Sequence, residues 1–285
     1  MRVTINGNQL EVEVLGEAGA PVLIAHHGAP GLGSRAEPRA SFGRLADTFR
    51  VVVFDARGSG VSEGRPPFTH EQWAADVEGL RQWIGAERFV MAGGSYGGFI
   101  AMEYAIRHPE RLSALVLRDT SPDHDNEEAA QRNAENSTRV RVDRDKLRRI
   151  NEGRVRDNAD LEDCWREILP LYDFDYDPAA VEVKARATPY RFETHNFAFS
   201  VNVPRYDIKD QLHCIACPVL VTVGRHDWIT PVDASQRLVS LLHDGRLVVF
   251  ERSGHSPQIE EAELWERTVR DFLHDVGADR NPAAA

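Results

Sequence analysis

The stretch VMAGGSYGGFIAMEYA, Val90 to Ala105, sets one serine, Ser95, between two pairs of glycines. A hydroxyl becomes a nucleophile only where a base takes its proton and donors meet the charge that develops on the substrate. Gly93-Gly94-Ser95-Tyr96-Gly97 is a G-x-S-x-G arrangement with an apolar run before it and a helix-like run after it. On a sharp strand-to-helix turn the serine takes strained backbone angles, and side chains two positions away would collide. Glycines at those places relieve the crowding. The turn lifts the hydroxyl over a helix N-terminus, where backbone N–H groups face developing negative charge.

The chain has 11 histidines, so position must choose the base. His255, in VVFERSGHSPQIEE, follows the last predicted strand on a short Gly-containing loop. His243 and His274 sit in helical, charged text and read as surface residues. The histidine needs an acid to fix its tautomer and stabilise the imidazolium. Asp227, in VTVGRHDWITP, follows the penultimate strand directly. Asp119, just after LSALVLR, is its rival, because an acid there also reaches the histidine. The oxyanion donors are backbone groups: the Ala29 N–H, on the HHGAPG loop after PVLIA, and the Tyr96 N–H next to the nucleophile. His27 reads as an anchor for that loop.

These residues need strands that end together. GAPVLIAHHGAPGLG, RVVVFDARGSGVS, RFVMAGGSYGG, LSALVLRDTSP, CPVLVTVGRHD and RLVVFERSGHS each run apolar for four to seven residues and then turn. Runs rich in Val, Leu and Ile predict strands buried on both faces. Helical text alternates with them, as in THEQWAADVEGLRQWIG, where Trp73, Val77, Leu80 and Ile84 recur every three or four residues behind a Thr69 cap. The fold class expected is α/β, a mostly parallel central sheet flanked by helices. The pattern breaks over 120–212, which is charged and helix-prone, with apolar faces at Leu147, Ile150, Leu161, Trp165, Ile168 and Leu169. That segment reads as a helical cap inserted after the sixth strand, with 1–119 and 213–285 forming the core. The tail GADRNPAAA reads as frayed.

With 285 residues the chain is long enough for one large domain or a domain plus an insertion. A net charge of −11 argues against nucleic acid as a partner, since phosphate binding needs a basic face. No apolar run approaches the roughly 20 residues of a bilayer span, so no membrane association is expected. The N-terminus alternates like strands and lacks the apolar core of a signal peptide. Cys164, Cys214 and Cys217 make no disulfide framework, and CIAC has no second pair to complete a zinc site. A reducing cytoplasm fits best.

The order Ser95, Asp227, His255 and its settings resemble the α/β-hydrolase fold and, within it, the proline iminopeptidase family of serine aminopeptidases. The matching segments are HGAPG (27–31), DARGSGVS (55–62), GGSYG (93–97), GRHD (224–227) and SGH (253–255). RFETHNFAFS resembles the family's E-x-H-Y-F segment, whose glutamate holds the substrate's free α-amino group. Carried over, Glu193 would be that anchor, as a buried carboxylate over the site. Tyr190, Phe197 and Phe199 then read as either an apolar wall of the substrate pocket or packing within the cap. Ala29 replaces a loop glycine and Tyr96 a tryptophan, which puts proline preference in doubt. The resemblance implies a serine hydrolase of short peptides or amides, with no metal or cofactor. An esterase or lactonase using the same residues is the alternative, and a non-catalytic binding protein on this scaffold is a third reading.

Overall fold

The structure is a computed structural model and describes residues 1–280; the last five residues of the expected frayed tail lie outside the described residues. The chain opens with a hairpin, β1 (Arg2–Ile5) and β2 (Asn8–Leu15), followed by β3 (Val22–His26), a short α1 (Ala36–Ser41) and β4 (Arg50–Phe54). Next come α2 (His70–Ile84), β5 (Phe89–Gly94), α3 (Tyr96–Arg107) and β6 (Leu112–Arg118). Five helices follow: α4 (Glu127–Glu135), α5 (Arg144–Asn151), α6 (Asn158–Ile168), α7 (Pro178–Ala187) and α8 (Phe192–Phe197). The chain returns through β7 (Val219–Gly224), α9 (Val232–Leu241), β8 (Gly245–Phe250), α10 (Pro257–Glu260) and α11 (Ala262–Asp275).

The eight strands form one sheet in the order β1-β2-β4-β3-β5-β6-β7-β8. β1 and β2 pair antiparallel, as do β2 and β4, and the other pairs are parallel. The expected class is therefore observed: a mostly parallel sheet with helices on both faces and a helical insertion after the sixth strand. β5 and β7 are buried along their whole length, which explains why their text is apolar without alternation. One face packs Trp73, Val77 and Leu80 of α2 and Ile100 and Met102 of α3 against the strands. The other packs Trp265, Val269 and Phe272 of α11. Each such side chain contributes about 2 kcal/mol by leaving water.

α2 shows how local sequence sets a boundary. The Thr69 hydroxyl accepts from the Gln72 N–H at 3.3 Å, and Gly85 stops the helix at φ 77°. The inserted helices have a core of their own, in which Leu147, Ile150, Leu161, Trp165, Ile168 and Leu169 are buried together. They pack over the carboxyl ends of the central strands, where the loops that bear the candidate residues emerge.

Candidate active site

Ser95 follows β5 and precedes the first residue of α3, with φ 54° and ψ −126°. That left-handed backbone is costly for a side-chain-bearing residue and is held by its surroundings. The Ser95 N–H donates to the Arg118 carbonyl at 2.8 Å, and the Ser95 carbonyl accepts from the Gly98 N–H and the Thr120 hydroxyl, both at 2.9 Å. The flanking glycines are needed for close approach. A Cβ on Gly93 would lie 2.2 Å from the Gly97 carbonyl oxygen, and one on Gly97 would lie 2.4 Å from that of His27.

The second contact brings in the loop after β3. A Cβ on Gly28 would sit 3.5 Å from that of Ser95, so HGAPG runs beside the serine. The Ala29 carbonyl accepts from the N–H groups of Leu32 at 3.1 Å and Gly33 at 2.7 Å, which closes the loop on itself. Tyr96 is the first residue of α3, and its N–H is among those a helix start leaves without an intrahelical acceptor. His27 Nε2 accepts from the Ala56 N–H at 3.0 Å, so its proton is on Nδ1, which donates to the Gly28 carbonyl at 2.8 Å. Burial keeps that ring neutral, lowering its pKa. It ties the loop to the segment after β4.

His255 follows β8 and Asp227 follows β7. Their side chains meet, with His255 Nδ1 2.8 Å from Asp227 Oδ2. Asp227 also accepts from the N–H groups of Ile229 at 2.9 Å and Thr230 at 3.2 Å, and from the Thr230 hydroxyl at 2.7 Å. Burial opposes charge on both partners. The interaction with His255 outweighs it at Asp227, holding the carboxyl below its ordinary range. The same pairing raises the His255 pKa above that of an ordinary histidine. His255 Nε2 is buried and has no hydrogen-bond partner among the described residues. Asp119, the rival acid, is buried at the end of β6 and accepts no hydrogen bond from the ring among the described residues.

Arg118 joins these parts and was missed by the sequence reading. Its carbonyl holds Ser95, and its guanidinium donates to the His255 carbonyl at 2.9 Å, to Asp119 at 3.1 Å and to Glu37. Glu37 in turn accepts from the Gly28 N–H at 2.8 Å. An arginine at the end of an otherwise apolar strand is the signal that could have found it. Tyr172, from the segment between α6 and α7, was missed too. Its carbonyl accepts the His255 N–H at 2.6 Å, and its ring meets the imidazole edge-on at 5.2 Å.

A cavity of about 500 Å³ opens on Ser95. Its walls include Tyr96, Phe99, Phe199, Val203, Tyr206 and Trp228, and the acids Asp123 and Glu127 lie on the side of α4. Of the three expected aromatic residues, only Phe199 lines it. Tyr190 packs within the helical insertion, its hydroxyl donating to the Ala185 carbonyl at 2.7 Å, and Phe197 meets Phe68 edge-on at 6.1 Å.

The structure places Glu193, expected as a buried carboxylate, at the surface. In the first turn of α8, Thr194 and His195 take the buried side, which turns Glu193 outward. Glu193 is exposed and lines a separate cavity with Gly58, Phe68 and Arg191.

Comparison with known proteins fits this arrangement. The family model described as alpha/beta hydrolase fold matches residues 21–262. The chain is 32% identical over 279 residues to the proline iminopeptidase PfmaB of Pestalotiopsis fici, covering 95% of this chain and 98% of that one. It is 29% identical to a 2-hydroxymuconate semialdehyde hydrolase of Pseudomonas putida, covering 91% and 89%. Among solved structures, a thermophilic esterase from Thermogutta terrifontis superposes with a TM-score of 0.76 at 29% identity, covering 97% and 98%.

Proposed function

Because the chain belongs to the alpha/beta hydrolase fold family and is a serine hydrolase, we propose that it is an aminopeptidase of the proline iminopeptidase kind, releasing the N-terminal residue from short peptides or amino-acid amides. Ser95 attacks the scissile carbonyl while His255 Nε2 takes its proton, and Asp227 holds the ring and balances the imidazolium. The N–H groups of Ala29 and Tyr96 receive the oxyanion. His255 then protonates the leaving amine, and water, activated by the same base, releases the product acid from Ser95.

The observation that carries the free-amine preference is Glu127. It is exposed at the start of α4, has no ion-pair partner among the described residues and lines the cavity that opens on Ser95. An unpaired carboxylate there favours a cationic amine and sets its distance from the serine. The likeness to a proline iminopeptidase over nearly the whole chain supports the same reading. A cytoplasmic location is part of the proposal and is supported by the three free cysteines. No helix among the described residues is long and apolar enough to cross a membrane.

A second reading, an esterase or lactonase for a neutral small molecule, is favoured by the largely aromatic and aliphatic walls and by the outward position of Glu193. Hydrolysis of proline β-naphthylamide, its N-acetylated form, and p-nitrophenyl acetate and butyrate separates the two. We expect the free-amine amide to be cleaved by the wild type, spared by Ser95→Ala and slowed in Glu127→Gln. Cleavage of the esters alone would replace the first reading with the second.

A further inference from the structure

The end of β6 holds a second buried carboxylate beside the pair of His255 and Asp227. One oxygen of Asp119, one of Asp227 and a ring nitrogen of His255 all lie within 4.8 Å of one another. Asp119 has φ 46°, a left-handed conformation that aspartate tolerates better than most residues. Three bonds fix it there: its N–H donates to the Thr222 carbonyl at 2.8 Å, Oδ1 accepts from the Gly224 N–H at 3.0 Å, and Oδ2 accepts from Arg118 Nη1 at 3.1 Å.

The charged and titratable groups around it come from every neighbouring element. Arg118 stands next to it on β6, Asp227 comes from the loop after β7, and His255 from the loop after β8. Glu37 of α1 reaches it through Arg118, and the Tyr172 ring covers the imidazole from the side of the insertion. Two carboxylates this close, both out of water, resist ionising together. Burial and the neighbouring Asp227 push Asp119 up to about 7. Arg118 offsets part of the charge that remains.

We propose that Asp119 is a second acid for His255, a positioning residue that shares with Asp227 the charge opposite the imidazolium and takes over when Asp227 loses its carboxylate. When the imidazole takes the Ser95 proton it gains one positive charge. Asp227 meets that charge directly, and the ionised fraction of Asp119 adds to it at longer range. No proton passes to either acid. The inference rests on Ser95 and His255 performing the hydrolysis.

The test compares the full-length wild type with Asp227→Asn, Asp119→Asn, the double variant and Ser95→Ala. Two readouts are taken from pH 5 to 9: kcat and KM on p-nitrophenyl acetate, and the rate at which a fluorophosphonate labels the intact chain. Thermal melts establish that each variant folds. We expect Asp227→Asn to slow both readouts about 10³-fold, and the double variant at least about tenfold more. Asp119→Asn alone slows kcat less than about tenfold, leaves KM unchanged and shifts the acid limb of the pH profile to lower pH. If Asp227→Asn is already as slow as the double variant, and Asp119→Asn keeps the wild-type pH profile, Asp119 serves only the turn at Gly224 and the proposal falls. Labelling or turnover that survives in Ser95→Ala would instead overturn the reading on which it rests.

Discussion

The strand-end loops and the inserted helices handle charge in opposite ways. At the loops, Asp227 is buried and takes three donors besides His255, while Arg118 ties β6 to the loops bearing Gly28 and His255. On the insertion most ion pairs lie in water, such as Arg132 with Glu128 and Arg148 with Asp145. Exposed pairs of this kind contribute at most about 1 kcal/mol each. Buried networks fix one geometry, whereas exposed pairs can be exchanged at little cost. The proposed reaction therefore rests on the sheet, and its proposed choice of substrate on the insertion, which supplies much of the cavity wall.

If that division holds, the deepest losses of activity belong to the loops. Ser95→Ala should lower kcat/KM by about 10⁴-fold or more with an unchanged melting temperature, read on whichever substrate the wild type cleaves. Next comes the pH profile. His255 acts as a base only when neutral, and Asp227, outweighing the burial that disfavours charge, raises its pKa above that of an ordinary histidine. Activity should therefore rise with pH through that raised value, falling about tenfold for each unit below it. Changes in the insertion should act on selection instead. Phe199→Ala and Glu127→Gln should each raise KM by about tenfold or less, Glu127→Gln only for substrates with a free amine. An equal effect of Glu127→Gln on an N-acetylated substrate would erase the distinction between the two regions. The smallest effect is expected remote from both: Thr69→Ala removes the α2 cap and should cost about 1 kcal/mol in urea unfolding, with kcat unaltered.

The same division decides what the sequence disclosed. Strands buried on both faces write their burial as unbroken apolar runs, and a sharp turn writes its crowding as Gly93 and Gly97. The six parallel strands β3 to β8 end on one side of the sheet, so the order of their terminal residues already proposed a site. The insertion has no such frame. After α8 the chain widens into a π-helical turn over Ala198–Asn202, which shifts the side-chain phase away from a 3.6-residue repeat. Phe199 thus reaches the cavity while Phe197, two residues earlier, packs on Phe68. Glu193 points outward for a related reason: the motif that suggested it records residue types, and the helix phase decides direction. Phe99 and Tyr206, stacked at 4.2 Å on the cavity wall, lie too far apart in sequence for any periodicity to pair them.

The buried imidazoles away from the reacting centre carry a further consequence. Burial holds His26 and His195 down to about 3, far below the roughly 6.5 of an unfolded chain. A group with a depressed histidine pKa binds its proton only after unfolding, so stability drains away as pH falls from about 6.5 toward 3. At pH 4.5 the two together cost about 5 kcal/mol, comparable with the whole margin of an ordinary domain. Acid thus acts twice on this protein: the base at His255 is lost first, and at lower pH the fold gives up the margin that its neutral buried imidazoles demand.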